Sequence, residues 1–225
     1  LRDQIEALRR WRTNACQIGA NKLSRKIMAL AAILAFQTII PSASATGAVY
    51  VFPVQGCSTT YAHSHHDYPA TDILLVKPHP SSCYFVAPTS GVIDEVNRVD
   101  RFSWKSDKGA DRGGLSISMI GDDGVRYYGS HLKLIEKQLA TGVRVAAGDH
   151  LGILGNSGDA KGLATHLHFG ISWPTVSGAW WIRRGEVYPW TYLDAWRKGK
   201  AASPASGVKK IHAALGDLPP CRKGC

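Results

Sequence analysis

The 225-residue chain has 27 Lys/Arg against 17 Asp/Glu and a formal charge of +10. That length allows one domain with a sizeable core plus appendages. The basic balance suits an anionic polymer or surface, but no Lys/Arg cluster interleaves with aromatics and no nucleic-acid motif occurs, so nucleic acid is not expected as a partner.

Residues 1–45 read as a leader. Lys22, Arg25 and Lys26 precede an apolar run from Ile27 to Ile40. That run is shorter than the roughly 20 residues a membrane span needs and matches the central segment of a secretory signal. Ala43-Ser44-Ala45 supplies a small-residue cleavage site, which places the mature start near Thr46. An uncleaved anchor is the alternative. Cleavage predicts a secreted or extracytoplasmic protein with no remaining membrane contact.

Export implies an oxidising compartment. Cys57, Cys83, Cys221 and Cys225 then form an even set that allows three pairings. The preferred pairing is Cys57 with Cys83, flanking a polar segment, and Cys221 with Cys225. Zinc on cysteine is not expected, because no C-x-x-C pair exists.

From Gly47 the pattern is mostly β. Short strands are predicted at 48–52, 72–76, 83–87, 91–96, 115–120, 125–128, 143–145 and 151–155. Gly121-Asp-Asp-Gly124 joins two of them as a hairpin. Residues 57–71 read as a His-rich loop and residues 100–114 as a Gly-rich loop of the length at which loops tend to be functional. Frequent glycines between short strands predict an all-β fold, a curved antiparallel sheet or sandwich over 46–200. The later tryptophans (Trp180, Trp181, Trp190 and Trp196) are expected to cap the core. Residues 201–225, rich in Ala, Ser, Gly, Pro and Lys, read as a flexible tail.

The chemistry concentrates in Thr165-His166-Leu167-His168-Phe169. Alternate residues of a strand share a face, so both imidazoles project together while Leu167 and Phe169 enter the core. A catalytic zinc usually takes three protein ligands and keeps one position open. Asp72 at a strand start, His66 in the loop before it, His131 after a strand and His168 offer two nitrogens, one carboxylate and spare imidazoles. Each residue alone is ordinary; it is the ordered set that points to a metal site.

In that combination the chain resembles the LytM/lysostaphin-type zinc metallopeptidases, family M23. The matching elements are His66 with Asp72, Tyr128-Gly-Ser-His131-Leu132, the glycine run from Gly142 to Gly158, and His166-Leu-His168-Phe-Gly170. The resemblance covers about residues 53–175. It implies one zinc per chain in a β-sheet groove, with metal ligands His66, Asp72 and His168 and catalytic residues His131 and His166. It also implies endopeptidase action on the peptides of bacterial cell-wall peptidoglycan. The commonest family spacing, His-x-x-x-Asp, falls on Tyr68 here, so the loop is longer. His65 and His63 therefore compete with His66 as first ligand, and His66 is preferred because it is nearest Asp72. The alternative function is a non-catalytic member of the fold that binds peptidoglycan or activates another hydrolase. The oligomeric state is not legible.

Overall fold

The computed structural model describes residues 48–76 and 83–221, so the predicted leader lies outside the described residues. The described residues belong to one compact unit. No helix among the described residues is long and apolar enough to cross a membrane.

Among the described residues, eleven strands form two antiparallel sheets: β1 (Val54–Gln55), β2 (Thr59–Thr60), β3 (Thr71–Leu75), β4 (Tyr84–Val86), β5 (Gly91–Asn97), β6 (Ser116–Gly121), β7 (Arg126–Ser130), β8 (Leu132–Ile135), β9 (Arg144–Val145), β10 (His150–Leu154) and β11 (His166–Ser172). The larger sheet has the order β2-β3-β11-β7-β6-β5-β9 and the smaller β1-β4-β10-β8. This is the predicted all-β architecture, although β2 falls inside the segment read as a His-rich loop, β8 follows His131 where no strand was predicted, and the start is shifted. The strand expected at 48–52 is irregular chain held by Val51 N–H to the Pro88 carbonyl, and the first strand follows Pro53 instead.

Strict alternation builds the larger sheet. On β11, Leu167, Phe169 and Ile171 are fully buried against the core, joined by Ile73 of β3, Tyr127 of β7 and Ile117 and Met119 of β6. The core lies between the sheets. Phe85 of β4 meets Phe169 edge to face at 6.4 Å between ring centroids, and its ring covers Gly129 so closely that a Cβ there would stand 2.4 Å from it. Glycine at 129 is thus a condition of the sheets' approach. The other face of β11 carries His166, His168 and Ser172. All are buried too, because loops and a short helix roof that face.

Cys57 and Cys83 form a disulfide with Cα atoms 5.1 Å apart, closing a 26-residue separation. It ties the segment before β2 to the start of β4. Replacing both cysteines by serine is expected to lower stability by about 3 kcal/mol, the chain-entropy scale for such a loop. Urea unfolding of the double variant checks this, and an unchanged midpoint would contradict it. Cys221 is also disulfide-bonded, while Cys225 lies outside the described residues.

Among the described residues, three helices follow β11: α1 (Trp180–Arg183), α2 (Trp190–Arg197) and α3 (Ala205–Leu215). Trp196 caps the core as expected, stacking on Tyr50 at 5.7 Å. Trp180, by contrast, lines a cleft. The expectation of a flexible tail from 201 does not hold for α3. Val208 is buried, Ile211 and Leu215 pack on the core, and Trp173 stacks on His212. Trp173 and Trp181 also donate their indole N–H groups to the Asp217 and Pro219 carbonyls. Val208, Ile211 and Leu215 have helical spacing, which the surrounding small and basic residues disguised.

Candidate metal centre

Three neighbouring strands assemble the centre. His168 on β11 is paired in register with Asp72 on β3 and with Ser130 on β7. Cross-strand partners share a face, so Asp72, His168 and Ser130 form a row across the sheet. His166 lies two residues back on the same face. His131 follows Ser130 at the point where the chain leaves the larger sheet for β8 of the smaller one. It makes that corner as a single residue with φ of 63°, a left-handed conformation uncommon for a residue with a Cβ. The sheet switch therefore turns the His131 side chain inward, where it is only 8% exposed.

These side chains line a cleft of about 340 Å³ together with His65, Tyr68 and Trp180. Ligand atoms of His65, Asp72 and His168 all lie within 4.8 Å of one another. The His65 ring stands 5.2 Å from that of His168, and the His131 ring 4.9 Å from that of His166, centroid to centroid. His66 is exposed at the cleft wall and does not join the three-residue group. His63 faces away, pairing with Asp194 on α2.

All four central imidazoles have one ring nitrogen on a backbone carbonyl. His65 Nδ1 is 3.1 Å from the Tyr68 carbonyl oxygen, His131 Nδ1 is 2.9 Å from that of Ser157, His166 Nδ1 is 2.8 Å from that of Ala164, and His168 Nε2 is 2.9 Å from that of Arg184. A carbonyl only accepts, so each of these nitrogens carries the proton and the opposite one presents a lone pair. His65 and His168 thus offer Nε2 and Nδ1. His168 Nδ1 then faces Asp72 Oδ1 at 3.1 Å, a gap that a proton on the imidazole bridges in the metal-free protein and that a bound cation would bridge in its place. A shared cation satisfies both. An imidazole fixed by a backbone carbonyl is also the usual support of a metal-binding histidine. The donor set fits zinc: two nitrogens and one carboxylate, with room for a fourth ligand.

Gly170 makes one of those supports. A Cβ at that position would meet the Arg184 carbonyl oxygen at 2.2 Å, so only glycine lets that oxygen approach His168. The opposite wall is equally fixed. Asp100 accepts from Gly158 N–H and pairs with Lys161, and Arg112 holds Asp107 through two hydrogen bonds. The loop at 100–114 is therefore an ordered wall.

Burial shifts the charges in one direction. It lowers the His65 pKa to about 4, reinforced by His168, and that of His131 to about 3, reinforced by His168 and His166. For Asp72, burial pushes upward, but the hydrogen bond and charge of His168 outweigh it and hold the carboxyl well below its usual range. In the metal-stripped protein both histidines remain neutral while their unfolded counterparts protonate near pH 6.5. The unfolded state then binds the extra protons, so stability must fall as pH drops from 6.5 towards 4. Asp72 adds a further loss only below its ordinary value of 3.8. Urea midpoints across pH 7 to 4 in the presence of chelator test this, and a flat profile would contradict it.

The backbone carbonyls that orient the imidazoles were not foreseeable, since any residue supplies one. His65 lay among the candidates, but sequence distance favoured His66. Tyr68 had no signal beyond its position in the loop.

No family model matches the chain, and no curated protein matches it. Among solved structures it is similar to a protein assigned as glycyl-glycine endopeptidase lytM from Ruminococcus gnavus. The two share 24% identity over 68% of this chain and 62% of that chain, with a TM-score of 0.52. The chain thus spans less than two thirds of that structure's length. It is also similar to the catalytic domain of lysostaphin from Staphylococcus simulans (22% identity, 66% of this chain and 90% of that one, TM-score 0.42). A zinc-containing peptidase from Vibrio cholerae is more distant (17% identity, 55% and 36%, TM-score 0.40). The first likeness shows the fold, which is that of the LytM/lysostaphin-type M23 peptidases.

Proposed function

We propose that this chain is a zinc-dependent endopeptidase that hydrolyses peptide bonds in bacterial cell-wall peptidoglycan, acting outside the cytoplasm. The observation that carries the reading is the convergence of four carbonyl-fixed imidazoles and one carboxylate in a single cleft. A structural metal site needs no two additional buried imidazoles beside it. The disulfide accords with an extracytoplasmic location. The M23 fold directs the choice of substrate towards wall peptides, the class of bond on which lysostaphin-type enzymes act.

His65, Asp72 and His168 are the residues that would hold the zinc. Bound there, zinc would supply Lewis acidity, polarising the scissile carbonyl and acidifying the attacking water. His166 presents Nε2 as a lone pair, so it takes the proton of that water and later delivers it to the leaving amine. His131 also presents Nε2 as an acceptor, so it accepts a hydrogen bond from that water and orients it. Burial that keeps both His65 and His131 neutral suits this division, because a protonated imidazole can neither bind metal nor accept a proton.

The assignment is tested by measuring zinc content and hydrolysis of purified peptidoglycan on the same samples. Wild-type protein is expected to carry about one zinc and to clear wall suspensions. His65→Ala is expected to lose the metal and His66→Ala to retain it. The reverse pattern would restore His66 as the ligand, and a zinc-loaded wild type inert on walls would leave a binding protein instead.

A further inference from the structure

A second cavity, of about 290 Å³, opens on the same polar face of the larger sheet. It is lined by Glu95 and Asn97 of β5, Ser116 and Ser118 of β6, and Thr141. Tyr128 and Arg183 line both cavities and form the wall between them. Register keeps the face continuous: Glu95 pairs with Ser118, Ser118 with Tyr128, and Tyr128 with Gly170, two residues from His168 on β11. From β11 to β5 is three strand steps, about 14 Å at 4.8 Å each, or about four residues of extended peptide.

The dividing wall is charged. Arg183 pairs with Glu95, and the two side chains are 19% and 27% exposed. The Arg183 guanidinium stands 5.4 Å from the centre of the Tyr128 ring, and its buried Nε has no hydrogen-bond partner among the described residues. Deeper in the wall, Asp94 is already satisfied by Arg126 and Ser118. Apart from Val96 the lining is polar: hydroxyls, an amide, and the Arg183–Glu95 pair.

A half-buried ion pair constrains what can bind beside it. An anion that captured Arg183 would strand Glu95, and a cation that captured Glu95 would strand Arg183. Each leaves an uncompensated charge in a poorly solvated site, which is costly. A ligand bearing both signs on one carbon satisfies both partners at once.

We propose that this cavity is a binding subsite for a free α-amino acid centre, with the ligand's carboxylate on Arg183 and its ammonium on Glu95. This deepens the peptidase reading, on which it rests for what the ligand is attached to. The substrate would be a branched peptide whose branch residue keeps both its α-ammonium and its α-carboxylate free, about four residues along the groove from the bond that is cut.

The test uses Nε-acetyl-lysine, which carries both free groups, its methyl ester, which keeps only the ammonium, and Nα,Nε-diacetyl-lysine, which keeps only the carboxylate. N-acetylglucosamine serves as a neutral polar control. Binding to the zinc-loaded protein is followed through the backbone amide resonances of Ser118 and Tyr128. The zwitterion is expected to bind at least tenfold more tightly than either capped form or the sugar, and Glu95→Gln to remove that preference. Equal binding of a capped form, tighter binding of the sugar, or no shift at these amides with the wild type would each overturn the proposal. Wall hydrolysis measured on the same sample bears separately on the peptidase reading. Active protein without zwitterion preference sinks only the subsite, and inactive protein with the preference sinks only the peptidase.

Discussion

His168→Ala is expected to leave a folded protein that neither holds zinc nor cleaves peptidoglycan. His168 occupies the centre of the row that runs from Asp72 to Ser130, and its ring is the one in contact range of both His65 and His131. Its removal takes away one of the three proposed protein ligands and leaves Asp72 facing a gap. Loss of a partner that merely orients a ligand already costs about 10- to 100-fold in affinity, so loss of the ligand itself should exceed that. Asp72→Ala should behave alike. Elemental analysis after dialysis against buffer with trace zinc measures the first effect, and turbidity loss of walls the second. The neighbouring core residues Leu167 and Phe169 are untouched, so far-ultraviolet circular dichroism should remain native. Full zinc occupancy in either variant would remove these residues from the ligand set.

The opposite result is expected for the two remaining histidines. His166→Ala and His131→Ala should retain zinc yet slow peptidoglycan cleavage by at least about 100-fold, the scale of a positioned acid, base or oxyanion donor. His166 sits one strand step along the same face from His168 and offers its lone pair to the cleft without joining the three-residue group. His131 reaches the cleft from the corner between the sheets. Alanine at its left-handed φ of 63° adds strain of about 1 kcal/mol, so His131→Asn is the cleaner variant, since asparagine tolerates that conformation and cannot act as a base. Near-normal turnover in zinc-loaded His166→Ala would cancel its proton-transfer role. Loss of zinc in His131→Asn would show a ligand where a catalyst is proposed.

Much of this site could be read before the structure because its parts are local patterns. His166-Leu-His168-Phe169 announces a strand with one wet face, and the glycine run up to Gly158 marks the turns that bring Ser157 under His131. The first ligand was ambiguous for a physical reason. Neighbouring loop residues differ in direction by a turn that the letters do not encode. In the structure the turn closes by the His65 ring hydrogen-bonding the Tyr68 carbonyl, which points His65 inward and leaves His66 at the rim. The helix at Ala205–Leu215 was hidden differently. Its three apolar contacts are spaced for a helix, but composition outweighed periodicity in a stretch of small and basic residues.

Asp72 and His168 are 96 residues apart in the chain, and both are set by the pairing of β3 with β11. No fragment ending before His168 contains the centre, and a one-residue slip of β3 against β11 would turn Ile73 into the groove in place of Asp72. Such long-range contacts form late, after the entropy of closing the intervening chain has been overcome. A metal bound there would therefore meet its site only once the sheet is nearly complete. It would act as a latch on the finished molecule, slowing its opening while leaving the speed of assembly to the strands alone.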